Sequence, residues 1–245
     1  MTPSDTYIAR LVARLAAAPH AALFTYRQQD VRAGEFLASV HRYARALQAL
    51  GVARTSVVAL LAPNAPDAIA IRYAANLLGA ATCYLSAPPT VAARAALIGQ
   101  VAPTHLVLFP ETLHLLPRGL DLPILAVGDC GPSVPRLDTL AALQTGEPLA
   151  PSARAQDLAV IISSGGSTGV PKGSCRDFAS YTRMVTAPSP PDRRQLVNGH
   201  LAYLSEASRL ALRGRGSCSI RRAVATEMPA LAAAVTCIWS IRRRM

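Results

Sequence analysis

The chain has 245 residues, with 25 basic and 14 acidic side chains and a formal net charge of +11. Apolar residues make up 51% and charged ones 16%, which excludes a wholly disordered chain and leaves material for a sizeable core. No apolar run reaches the ~20 residues of a bilayer span, and the start lacks the continuous apolar stretch of a secretory signal.

The charge is unevenly spread. Residues 1–174 carry a net +3 and residues 175–245 a net +8. Lys172 is the only lysine; every other basic residue is an arginine. The five cysteines (Cys83, Cys130, Cys175, Cys218, Cys237) form no CxxC pair, so neither a disulfide framework nor a zinc site is indicated. They read as small buried hydrophobes in a reducing cytoplasm.

Taken in order, Ser4 is placed to cap a helix on which Ile8, Leu11, Val12 and Leu15 recur at helical spacing. A second helix fits residues 35–50, with Phe36, Val40, Tyr43, Leu47 and Leu50 on one stripe and Gly51 as its stop. Residues 57–61 read as a buried strand. A helix with Pro66 in its first turn then runs to Leu78 and ends at Gly79. Residues 80–86 read as a strand, 91–101 as a helix, and 105–109 and 124–128 as strands. Residues 131–151 form a Pro-rich connector, and 158–162 are the most apolar strand candidate. Strands alternating with helices predict an α/β domain with a largely parallel sheet. Beyond about Leu204 the chain turns rich in Arg, Ala and Ser. No strand period is visible there, and residues 228–241 read as a short apolar helix.

The informative segment is Ser163-Ser164-Gly165-Gly166-Ser167-Thr168-Gly169-Val170-Pro171-Lys172-Gly173. Glycines let the backbone approach an anion, and successive N–H groups make a nest that favours phosphate oxygens. The Ser and Thr hydroxyls add donors, and Lys172 adds a compact ammonium. Pro171 before the lysine and Gly173 after it exclude a Walker A loop, and Gly-x-Gly-x-x-Gly is absent. The alternative is a Ser/Gly linker. Linkers rarely follow a buried strand at once or end in Pro-Lys-Gly.

This segment resembles the phosphate-loop signature of adenylate-forming enzymes, Thr-Ser-Gly-Thr-Thr-Gly-x-Pro-Lys-Gly. Gly166, Thr168, Gly169, Pro171, Lys172 and Gly173 match it, while Ser164 stands for Thr, Gly165 for Ser and Ser167 for Thr. Upstream, Ala44 to Val52, Val57 to Asn64 and Leu77-Leu78-Gly79-Ala80 are similar to the family's helix-strand-helix text. The resemblance covers residues 5–205 and leans towards fatty-acid or related acyl-CoA ligases. It implies an N-terminal adenylate-forming fold and an ATP-dependent ligase that joins a carboxylic acid to CoA through an acyl-adenylate. ATP with Mg²⁺ and CoA are the implied cofactors. Ser164, Gly165, Gly166, Ser167, Thr168, Gly169 and Lys172 are the implied phosphate-binding residues.

The same resemblance implies what is missing. The family's Tyr-Gly-x-Thr-Glu motif, ribose-binding Asp, hinge Arg and second catalytic lysine are not recognisable, so the chain is expected to be a truncated ligase, inactive alone. Residues 1–205 are expected to form an incomplete N-terminal AMP-binding domain. Residues 206–245 are expected to be a basic tail, frameshifted or disordered. No catalytic residue and no metal ligand are assigned, and the oligomeric state is not readable. The alternatives are a non-catalytic nucleotide-binding or regulatory remnant, or a basic nucleic-acid-associated protein. No recognised nucleic-acid module precedes the Arg cluster, so no specific nucleic-acid partner is expected. The five histidines (His20, His41, His105, His114, His200) read as structural or surface residues.

Overall fold

A computed structural model describes residues 5–86, 90–164, 172–186, 196–198, 217–220 and 236–240. Helix α1 (Tyr7–Ala17) buries Ile8, Leu11 and Leu15 on one face and leaves Arg10 and Arg14 on the other. Its N-cap is Thr6, and Ser4 lies outside the described residues. Strands β1 (Ala22–Tyr26) and β2 (Gln29–Arg32) follow as an antiparallel hairpin absent from the sequence reading. Its two turn residues, Arg27 and Gln28, both adopt positive φ (49° and 67°). Such turns are normally announced by Asn-Gly or Asp-Gly, and here Arg27-Gln28 stands instead.

Helix α2 (Ala33–Ala49) buries Phe36, Val40, Tyr43 and Leu47 of the predicted stripe, leaves Leu50 half-buried as its C-cap, and is ended by Gly51 (φ 88°). Strand β3 (Val57–Leu61) leads to α3 (Pro66–Leu77), whose Pro66 lies in the first turn. Residues Ala68 to Leu77 of α3 are all buried. Gly79 (φ 77°) turns the chain into β4 (Ala81–Tyr84). A Cβ there would run into the Arg54 side chain and the Ala153 backbone, so glycine is required twice over.

Helix α4 (Val91–Val101), β5 (His105–Leu108) and β6 (Ile124–Ala126) fall where the spacing predicts them. A 3-10 turn (Pro110–Leu115) falls in a stretch with no predicted element, and a short helix α5 (Leu137–Ala142) occupies the Pro-rich stretch read as connector. Strand β7 (Leu158–Ser164) extends two residues beyond the predicted strand. Strand β8 (Lys172–Asp177) and helix α6 (Phe178–Val185) follow, neither of them predicted. Asp177 caps α6 by accepting from the Ser180 N–H, and hydrogen bonding from the Ser180 hydroxyl first and that N–H second holds its carboxyl below the usual range.

The main sheet has six strands in the order β6-β5-β3-β4-β7-β8. All neighbours are parallel except β7 and β8. Side chains alternate across it. Val58, Leu60 and Tyr84 enter one core with α1, α2, α3 and α6. Ala59, Leu61, Cys83, Leu106 and Leu108 enter another with Leu97, Ile98 and Val101 of α4.

A second sheet has the order β2-β1-β10-β11-β9, where β9 is Leu196–Asn198, β10 Ser217–Ile220 and β11 Thr236–Ser240. Residues 236–240 are therefore strand, where the apolar run predicts helix. Thr236, Ile238 and Trp239 are β-branched or aromatic and favour a pleated surface. Among the described residues, no helix is long and apolar enough to cross a membrane.

Candidate functional site

Strand β7 is the only strand of the main sheet with both kinds of neighbour. On one side Val160 pairs with Thr82 of β4 in parallel. On the other, Ile161, Ile162, Ser163 and Ser164 pair with Cys175, Ser174, Gly173 and Lys172 of β8 in antiparallel register. The hairpin thus opens at the carboxyl ends of the parallel strands, the end at which open α/β sheets bind ligands. Ser164 and Lys172 face each other across the last pair, with residues 165–171 between them. Of the sequence-predicted phosphate residues, the strand backbone brings Ser164 and Lys172 together. Gly165, Gly166, Ser167, Thr168 and Gly169 lie outside the described residues.

Fitness for a polyphosphate rests on the donor set. Three glycines, four hydroxyls (Ser163, Ser164, Ser167, Thr168) and one ammonium occupy ten residues, with both ends of the segment fixed in one ladder. The group that would offset charge on such a phosphate chain is Mg²⁺.

The stem is braced from the helical side of the sheet. The β7–β8 register slips between Leu158 and Val160, so Ala159 sits in a β-bulge. Its carbonyl accepts from Asn76 Nδ2 at 2.9 Å and from Thr82 Oγ1 at 3.4 Å. Asn76 is fully buried on α3. Its second amide hydrogen goes to the Ala80 carbonyl at 2.8 Å, and its Oδ1 accepts from the Tyr7 hydroxyl. One turn earlier, Arg72 is also buried and donates to the Tyr181 hydroxyl on α6. Its guanidinium lies 5.5, 5.8 and 6.0 Å from the ring centres of Tyr181, Tyr73 and Tyr84. Among the described residues, no carboxylate contributes to its electrostatics. Burial works against its charge, and the surrounding tyrosine hydroxyls more than offset that, holding the guanidinium above its ordinary range. Burial in turn pushes the Tyr7, Tyr73 and Tyr84 hydroxyls up. Among the described residues, Arg72 Nε and the Tyr73 hydroxyl have no hydrogen-bond partner.

Sequence reasoning missed Arg72, Asn76, Thr82 and Tyr181. Within an Ala-rich helix, a lone Arg and Asn read as solvent-facing, and only the packing of α3 on all sides reveals otherwise. The buried histidines His41 and His105 are bonded to nearby backbone and hydroxyl groups. His41 Nδ1 accepts from the Leu149 N–H at 3.2 Å, and the His105 ring lies between Thr104 Oγ1 and the Leu50 carbonyl. Cys83 and Cys130 are buried as expected. Burial, with a smaller contribution from Cys175, pushes the Cys83 thiol up to about 12. Cys175 is exposed because β8 is an edge strand.

Residues 11–206 match the AMP-binding enzyme family. The chain belongs to that family. Similar solved structures include the N-terminal subdomain of Klebsiella oxytoca NpsA (TM-score 0.67, 16% identity, covering 83% of this chain and 51% of that one). A benzoate CoA ligase from Burkholderia xenovorans LB400 also matches (TM-score 0.62, 15% identity, 72% and 35%). So does the amide bond synthetase McbA from Marinactinospora thermotolerans (TM-score 0.66, 24% identity, 88% and 44%). No curated protein sequence matches the chain.

At these identities the likeness is one of fold: a mixed α/β unit with a mostly parallel six-stranded sheet, as in the N-terminal subdomain of adenylate-forming enzymes. The chain spans about a third to a half of these neighbours. Their names cover CoA and amide chemistry alike, so membership of the AMP-binding family fixes neither the acid nor the acceptor.

Proposed function

We propose that the chain is the phosphate-binding half of an ATP-dependent acid–CoA ligase of fatty-acid type, acting in the cytoplasm. Ser164, Gly165, Gly166, Ser167, Thr168, Gly169 and Lys172 hold the phosphates of ATP. The carboxylate attacks the α-phosphorus to give an acyl-adenylate and pyrophosphate, and the CoA thiol then takes the acyl group with release of AMP. Backbone N–H groups and hydroxyls of the loop hold the leaving phosphates in place, and Lys172 offsets their charge. The observation that carries this reading is the glycine- and hydroxyl-rich segment closed by the Ser164–Lys172 pair at the ligand-binding end of the sheet.

We also propose that these 245 residues do not complete adenylation by themselves. Lys172 is the only lysine and is assigned to phosphate, which leaves none for the adenylation step. Residues 206–245 are then a basic tail that adds β10 and β11 to the second sheet of an incomplete domain, and the isolated chain behaves as a nucleotide-binding remnant.

Two measurements test this. Mg-ATP binding to the full chain is expected, and Lys172→Met is expected to weaken it about tenfold, the cost of one charge-assisted phosphate contact. Equal binding by the variant would remove Lys172 from the site. ATP–pyrophosphate exchange with long-chain fatty acids is expected to be absent. Measurable exchange would show an active enzyme and overturn the remnant reading.

A further inference from the structure

We infer that Asn76, with Thr82 in support, is a positioning residue that sets where strand β7 delivers Ser164. The inference rests on the phosphate-loop reading above. A bulge adds a residue to one strand and re-aims everything beyond it. Here the bulge falls at Ala159, five residues before Ser164, on the strand that leads into the loop. A bulge left to itself has latitude in its direction, because its ladder is locally broken. This one is held from α3 by the Asn76 amide and from β4 by the Thr82 hydroxyl, both on the same carbonyl.

The chemistry of Asn76 is specific to that task. Two carbonyls, of Ala80 and Ala159, require two donors, and the Tyr7 hydroxyl requires an acceptor. Only a primary amide supplies both from one short side chain. Asp would set a carboxylate against two carbonyl oxygens, and Leu would leave the Ala159 carbonyl with Thr82 alone. Through Tyr7 the same amide reaches α1, whose first N–H is bonded to Thr182 of α6. Helix α6 in turn continues from β8, the other arm of the hairpin. Both arms of the stem are therefore referred to one buried point on α3.

The test is the affinity of the full chain for inorganic tripolyphosphate with Mg²⁺, measured by calorimetry for wild type, Asn76→Leu, Thr82→Val and Thr82→Ser. Val40→Ala on α2, buried in the same core but with a side chain that makes none of these hydrogen bonds, serves as a destabilised control. Asn76→Leu is expected to weaken binding about tenfold, by misplacing the loop rather than removing a contact. Thr82→Val is expected to weaken it about threefold, the loss of one hydrogen bond. Thr82→Ser and Val40→Ala are expected to bind as wild type does. A merely structural role would move the Val40 variant as much as the others.

Wild-type binding with no loss in either Thr82→Val or Asn76→Leu would overturn the positioning role and leave the phosphate loop standing. If Asn76→Leu does not fold, the Thr82→Val and Thr82→Ser pair decides. No binding by wild type would overturn the phosphate-loop reading itself, and the positioning role with it.

Discussion

The two faces of the six-stranded sheet are built on different principles. The face covered by α4 is aliphatic: Ala59, Leu61, Leu106 and Leu108 meet Leu97, Ile98 and Val101, with Cys83 as a small filler. The face covered by α1, α3 and α6 carries a fully buried Arg, an Asn, a Thr and four tyrosines joined by hydrogen bonds and ring contacts. The first face is held by area removed from water and is indifferent to direction. The second adds pairing to an apolar core of its own, and pairing contributes less net stability per contact but specifies where each partner sits. The directional face is the one that braces β7, the strand leading to the phosphate loop.

The largest effect is expected on the aliphatic face. Leu106 is fully buried on β5, so Leu106→Ala should lower unfolding stability in denaturant titration by about 3 kcal/mol. A loss below about 1 kcal/mol would show that this face collapses around the gap and does not depend on area.

A smaller effect with a different signature is expected on the polar face. Arg72→Met removes the donor to Tyr181 and should cost about 1–2 kcal/mol, chiefly by stranding a buried hydroxyl. Adding Tyr181→Phe should recover most of that loss, because both partners are then apolar. Additive losses in the double variant would mean that the cation–ring contacts, not the hydrogen bond, hold this face together.

The smallest effect is in pH. His41 is buried on α2. Burial first, and Arg45 second, hold its imidazole below the ordinary 6.5. The unfolded chain therefore takes up a proton that the folded chain resists. Stability is level above about pH 6.5 and falls as pH drops below it, by an amount set by the depression. His41→Asn keeps an acceptor for the Leu149 N–H and removes the titration. The difference in melting temperature between variant and wild type should shift in the variant's favour from pH 7 to pH 5.5. A constant difference would remove His41 as the acid-sensitive group.

The contrast between the faces also decides what could be read from the sequence. Helix α4 begins at Val91 and ends at Val101, as the apolar spacing predicts, because its environment is simple and its residues state it. Helix α3 was bounded by Pro66 and Gly79, residues whose backbone needs are local. The β1–β2 hairpin was not legible because Arg27 and Gln28 take a conformation that other residues usually signal. Helix α5 has six residues within a Pro-rich stretch and α6 only eight, too few turns for a helical period to show. For the site, the loop residues were legible since glycines, hydroxyls and a lysine declare anion binding by type. Asn76 and Arg72 were not, because their importance comes from what surrounds α3, and no spacing along the chain encodes that.

The antiparallel placement of β8 has an engineering consequence. In an all-parallel sheet, a loop leaves one strand and the chain comes back only after a crossover, so altering the loop disturbs how a helix lies on the sheet. Here the segment between Ser164 and Lys172 departs from one ladder and rejoins it eight positions later. Such a segment is a cassette. Its length and composition can be exchanged for another anion-binding sequence at little entropic cost, with the same two anchor points holding whatever is spliced between them.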